Sequence, residues 1–165
     1  MKIDRLEVGL LKSNCYIVTV GDNSIIIDPG DEPDKILDAC KGKNIKEIIV
    51  THHHFDHIGA LKELEDYFDL KENKKTNIFD YEVINTPGHT SDSVTFYFPK
   101  EKVMFTGDFI FKGNIGRFDL PTGSIFDMKN SLNLICNYSS DIVLYPGHGP
   151  KTLLDIEKNN FKYYF

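Results

Sequence analysis

A chain of 165 residues, 41% apolar and 27% charged, is long enough to bury a core and has the balance of a soluble globular protein. A net charge of −6 with no basic stripe argues against a nucleic-acid partner, and no apolar run approaches the length of a membrane span. Lys2, Asp4, Arg5 and Glu7 make the start unlike a signal peptide, so a cytoplasmic protein acting on a small molecule is expected, with the oligomeric state open.

The chain opens with β-branched runs that read as strands at 2–8, 14–20 and 24–28, the last ending at the turn Pro29-Gly30. A helix follows, with Pro33 in its first turn, Gly42 past its end, and Ile36, Leu37 and Cys40 as its buried stripe. The strand Glu47-Ile48-Ile49-Val50 runs into Thr51-His52-His53-His54-Phe55-Asp56-His57, after which Ile58, Leu61, Leu64 and Phe68 recur at helical spacing. Residues 71–80 form a polar loop, and the lysines at 71, 74 and 75 read as a solvated face rather than a binding patch. Strands resume at about 81–86, 93–98 and 102–107, followed by a glycine-rich loop at 113–123. Ser124 with Asp127 resembles a capping box opening a helix that buries Ile125, Met128, Leu132 and Ile135. A strand at 142–145 leads into Pro146-Gly147-His148-Gly149, and the remainder forms at most one closing helix. Phe105, Phe109 and Phe111, alternating along a strand, read as core, as does Tyr145. Cys15, Cys40 and Cys136 each sit in an apolar stretch and read as reduced core thiols. Alternating strands and helices give an α/β domain spanning 1–165, compatible with two halves packed face to face.

All six histidines fall in three short motifs: the cluster at 52–57, Thr86-Pro87-Gly88-His89-Thr90, and the turn around His148. Imidazole is the commonest zinc ligand and carboxylate its usual oxygen partner. His52 and His54, two apart at a strand end, can point the same way, while His53 faces opposite and is expected to be exposed or behind the ligands. Asp56 and His57, at the turn into the helix, can aim at a neighbouring point. His89 and His148 are then available to close two shells.

The segment 51–57 resembles the HxHxDH signature of the metallo-β-lactamase superfamily. Thr-Pro-Gly-His-Thr, Phe105-Thr106-Gly107-Asp108 and Pro-Gly-His-Gly-Pro resemble its later motifs in order, and Ile27-Asp28-Pro29-Gly30 its early turn. The resemblance implies a four-layer αβ/βα sandwich and two divalent metal ions, zinc foremost, with iron or manganese as alternatives. One ion would use His52, His54 and His89, the other Asp56, His57 and His148, and Asp108 would bridge both. Asp56 and Asp108 are the catalytic carboxylates in this reading. Asp28 is a candidate to steady a metal-ligating ring, with a plain turn aspartate the alternative. The bridging aspartate is similar to glyoxalase II and unlike true β-lactamases, so antibiotic hydrolysis is not expected. The implied reaction is hydrolysis of a thioester by a metal-bridging hydroxide attacking the acyl carbon.

The loop around Gly116-Arg117-Phe118-Asp119 resembles that of small stand-alone glyoxalase-II-like proteins. Arg117 is a candidate for contacting an anionic substrate, although pairing with Asp119 favours a structural role. Against glyoxalase II proper, the C-terminal helical domain is missing, the stretch from His57 to His89 is short, and Asp92 stands where glycine is common. Three other readings stay open: a mononuclear iron persulfide dioxygenase using positions such as His52, His89 and Asp108, a metal-stabilised binding module without activity, and a nucleic-acid phosphodiesterase, which the acidic charge disfavours.

Overall fold

The computed structural model describes residues 1–165. The strands β1 (Lys2–Val8), β2 (Ser13–Val20) and β3 (Asn23–Ile27) form where the β-branched runs place them. They pair antiparallel in sequence, with Leu6 opposite Cys15 and Ile17 opposite Ile26. Helix α1 (Pro33–Cys40) starts on proline, whose missing N–H costs nothing in a first turn. It carries the chain across the sheet so that β4 (Asn44–Ile49) runs parallel to β3, a pairing that requires such a crossover. Ile36 and Cys40 of α1 are buried against Ile17, Ile26 and Ile48, with Leu37 packed at the margin. A fully buried side chain of this size contributes about 1.5–3 kcal/mol.

Beyond β4 the sequence predicts one helix after His57, and the structure has two, α2 (Phe55–Ile58) and α3 (Leu61–Phe68). The break has a hydrogen-bonding cause. Ser13 Oγ donates to the carbonyl of Asp56 at 2.6 Å, and the amide of Ala60 donates to Pro29 at 3.0 Å. The bond that would join the two helices is replaced by bonds to Ser13 at the start of β2 and to the β3–α1 turn. Glycine permits the approach: a Cβ on Gly30 would lie 1.9 Å from the Asp56 carbonyl oxygen. Leu61 and Leu64 then complete the core. The loop at 71–80 has no strand of its own but is pinned to β4. Asn73 donates from its amide to Ile48 and accepts from Val50 on its side chain, both at 2.9 Å.

The chain divides into two compact units, Met1–Asp80 and Tyr81–Phe165. The second contains β5 (Glu82–Asn85), β6 (Val94–Phe98), β7 (Val103–Gly107), the small hairpin β8 (Ile110–Phe111) and β9 (Asn114–Ile115), α4 (Ile125–Ile135), β10 (Val143–Pro146), β11 (Thr152–Leu153) and α5 (Leu154–Asn160). Its main sheet has the order β11-β10-β7-β6-β5. As in the first unit, a helix, α4, links two parallel neighbours, β7 and β10. Ser124 caps α4 by accepting from the amide of Asp127. Met128, Leu132 and Ile135 are buried with Met104, Phe109 and Leu144.

Several expectations need correction here. Ile125 is 47% exposed, because the buried face of α4 begins only at Met128. Cys136 is exposed, since it caps α4 on the outer side, one residue past the buried Ile135. Phe105 and Phe109 are core, but Phe111 belongs to the separate hairpin and is only partly covered, its ring centroid 6.1 Å from that of His148. Tyr145 packs on Phe105 with centroids 5.4 Å apart. The C-terminus holds β11, α5 and a 3-10 turn (Phe161–Tyr163) rather than one helix. No helix is long and apolar enough to cross a membrane.

Candidate functional site

In the first unit, β3 and β4 are parallel neighbours with Ile27 opposite Ile49, so their C-terminal ends lie side by side. Asp28 leaves one strand and Thr51-His52 the other, beyond the carboxyl ends where open α/β sheets carry their sites. Asp28 is 2% exposed and has φ +52°, which aspartate tolerates better than most residues. Its Oδ1 accepts from the Thr51 amide at 2.7 Å, and its Oδ2 from the Thr51 hydroxyl at 2.7 Å. The same Oδ2 lies 3.0 Å from Nδ1 of His57.

The Thr51 oxygen is also 3.2 Å from Nδ1 of His52. Its one proton goes to Asp28, so it accepts from His52. This network assigns the proton of both rings to Nδ1 and leaves Nε2 as the lone-pair nitrogen, the form that binds a metal. Nε2 of His52 is 3.2 Å from Nδ1 of His54, and Nε2 of His57 is 3.7 Å from Oδ2 of Asp56. His53 faces away, half exposed, and meets the Glu72 carboxylate at 3.2 Å, as strand alternation anticipates.

The second unit repeats the device. The ends of β7 and β10 meet where Gly107 stands opposite Pro146, and the Gly147 amide donates to the Gly107 carbonyl at 2.8 Å. Asp108 and His148 follow directly. His89 comes from the turn after β5, which α4 holds: Ser131 Oγ donates to Pro87 and the Ser124 amide to Gly88. Gly88 has φ +147°, and a Cβ there would lie 2.5 Å from Cα of Met128. Nδ1 of His89 donates to the carbonyl of Arg117 at 2.7 Å, again leaving Nε2 for a ligand. Oδ2 of Asp108 is 3.6 Å from Nε2 of His89 and 3.6 Å from Nε2 of His148.

These spacings test whether the donors suit a metal. Two ligands at zinc distances of about 2.0–2.1 Å in tetrahedral geometry stand about 3.3 Å apart. The four pairs, between 3.2 and 3.7 Å, lie close to that value. The chemistry agrees: imidazole and carboxylate donors, with Asp56 and Asp108 retaining 13% and 12% side-chain exposure and His148 29%.

No thiol competes for the chemistry. Burial, reinforced by the nearby Asp28 and Cys40, pushes the Cys15 thiol well above its usual range, and burial pushes Cys40 up to about 11. Both are far from a nucleophile's thiolate.

The Arg117 side chain is 64% exposed and grips Asp119 through two hydrogen bonds of 2.9 and 3.0 Å. That pairing holds the Asp119 carboxyl below its ordinary range. The sequence did not reveal that the Arg117 carbonyl steadies His89, because a carbonyl has no residue signature. Thr51 was also missed, although its place between a strand end and His52 was a usable signal.

The sequence profile of the metallo-beta-lactamase superfamily matches residues 8–74 and 74–148. A hydroxyacylglutathione hydrolase, GloC of Haemophilus influenzae, is 27% identical over 204 residues, covering 97% of this chain and 96% of its own. Among solved structures, TTHA1623 in a di-iron-bound form is 29% identical with a TM-score of 0.89, covering 97% of this chain and 99% of its own. The BLEG-1 B3 metallo-beta-lactamase is 25% identical with a TM-score of 0.93, covering 99% and 100%. The chain has the fold of the metallo-beta-lactamase superfamily and belongs to it.

Proposed function

We propose that this metal-dependent hydrolase cleaves thioesters of the hydroxyacylglutathione type. The ligand set of this reading is His52, His54 and His89 for one ion, Asp56, His57 and His148 for the other, with Asp108 shared. The observation that carries it is the single oxygen of Asp108 standing equally far, 3.6 Å, from the ring nitrogens of His89 and His148, as a shared carboxylate would. The likeness to GloC supports the substrate class.

Divalent ions held there supply Lewis-acid chemistry, which lowers the pKa of water and polarises an acyl carbonyl. The chain contributes orientation. Asp28, directly and through Thr51, fixes the rings of His57 and His52, and the Arg117 carbonyl fixes His89. Asp56, held in α2 by the Ser13 bond to its carbonyl, presents its carboxylate beside His57 to orient the attacking water. Ligands ordered before substrate arrives need no reorganisation during the reaction. A thiolate leaving group departs without strong acid help, so no dedicated acid is required.

The test is release of free thiol from a hydroxyacyl-glutathione thioester by the protein as purified, beside the Asp108→Ala variant. Turnover lost in the variant is the expected result. No thiol release, with oxygen consumed when a persulfide is added instead, would replace this reading by the iron dioxygenase one. Neither reaction would leave the binding-module reading.

A further inference from the structure

The lysine-rich stretch after α3 does not trail through solvent. With the end of α3 and the edge of β4 it walls a cavity of about 430 Å³, lined by Lys46, Lys71, Lys74 and Lys75 together with Asp69 and Thr76. That volume is within the range of small-molecule pockets, roughly 300–1,000 Å³. Four lysines and one aspartate are among its lining residues. Glu65 pairs with Lys71 at 3.3 Å from the helix side, while Lys46 and Lys74 enter no ion pair. Two positive charges beside one cavity repel unless an anion joins them, and the Lys46 and Lys74 pair has that need.

The backbone that carries these lysines is fixed. Asn73 bonds to Ile48 and Val50 of the β4 segment. The amide of Thr76 donates at 2.7 Å to Glu47, a carboxylate only 1% exposed. The backbone is thus fixed on both sides of Lys74 and Lys75, which line the cavity. Lysine binds phosphate as a point charge from any direction, which suits a mobile compact polyanion better than a planar carboxylate.

We infer that this cavity is an anion site for a small ligand carrying two or more phosphoryl groups, either free or as the tail of a nucleotide. The inference does not depend on the hydrolase reading, because every wall residue lies outside the histidine and aspartate motifs.

Amide chemical shifts followed by NMR while inorganic tripolyphosphate is added to the protein test it directly. Saturable shifts centred on Lys46 and Lys71–Thr76 are expected. Affinity should fall at least about tenfold in the Lys46→Gln/Lys74→Gln variant and return in Lys46→Arg/Lys74→Arg. Adenosine triphosphate competing for the same amides would identify a nucleotide tail as an acceptable source, and failure to compete would restrict the site to the free anion. Shifts confined to residues 52–57, 89, 108 and 148 would mean chelation at the metal ligands and overturn the proposal. Shifts that fail to saturate, or persist unchanged in the Gln variant, would overturn it as well.

Discussion

Oδ2 of Asp28 and Nδ1 of His57 stand 3.0 Å apart, with both side chains almost wholly buried. The same oxygen takes the Thr51 hydroxyl, whose oxygen faces His52, so one carboxylate orients two histidines. Partners of this kind typically carry about 10–100-fold in metal affinity. Asp28→Asn should therefore weaken metal binding by about that factor, as read by competition with a chromogenic chelator. Thr51→Val should weaken it less, because only His52 loses its acceptor. Wild-type affinity in Asp28→Asn would show that the aspartate is merely a turn residue.

Gly116 reports on the other half of the ligand set. A Cβ there would lie 1.7 Å from the Asp108 carbonyl oxygen and 3.2 Å from Cβ of His89. Backbone cannot swing aside as a flexible side chain can, so Gly116→Ala must move the loop or Asp108. Overpacking of this kind costs about 1–3 kcal/mol. A lowered Tm together with reduced metal content is expected, and a variant indistinguishable from wild type on both would contradict the close packing.

Arg117 separates backbone from side chain. Arg117→Ala keeps the carbonyl that holds His89 and removes only the exposed guanidinium. Metal content and kcat should hold. KM for an anionic thioester should rise if the guanidinium contacts substrate, and an unchanged KM would leave Arg117 a purely local partner of Asp119.

The cysteines give a prediction in pH. Cys15 and Cys40 have thiol pKa values raised in the folded state, so folding favours their neutral forms. Their contribution to stability is fully present below the unfolded thiol pKa of about 8.5 and is lost as pH rises toward the folded values, about 11 for Cys40. Tm should decline from about pH 9 upward, and less so in Cys15→Ala once its lower starting stability is subtracted. A thiol reagent should label the exposed Cys136 in the native protein and the other two only on unfolding.

Much of this arrangement was legible in the sequence. Runs such as Ile25–Ile27 and Ile48–Val50, bounded by turn residues, specify strands by local chemistry, and the histidine motifs mark the candidate metal-binding cluster. The parts that were not legible depend on distant partners. The division between α2 and α3 comes from Ser13 and Pro29 capturing backbone groups that helical periodicity assigns to each other. β8, β9 and β11 have two residues each, too few for alternation to register. Ile125 and Cys136 have core-like neighbours in sequence but lie at the two ends of α4, where the buried face no longer covers them.

The measurement that bears most directly on the central claim is metal content per chain by elemental analysis of protein purified without added metal, alongside Asp108→Ala. Two divalent ions per chain, zinc foremost, lost together in the variant, is the predicted result. A single ion that survives the substitution, or no ion even after zinc or iron is supplied, would contradict it.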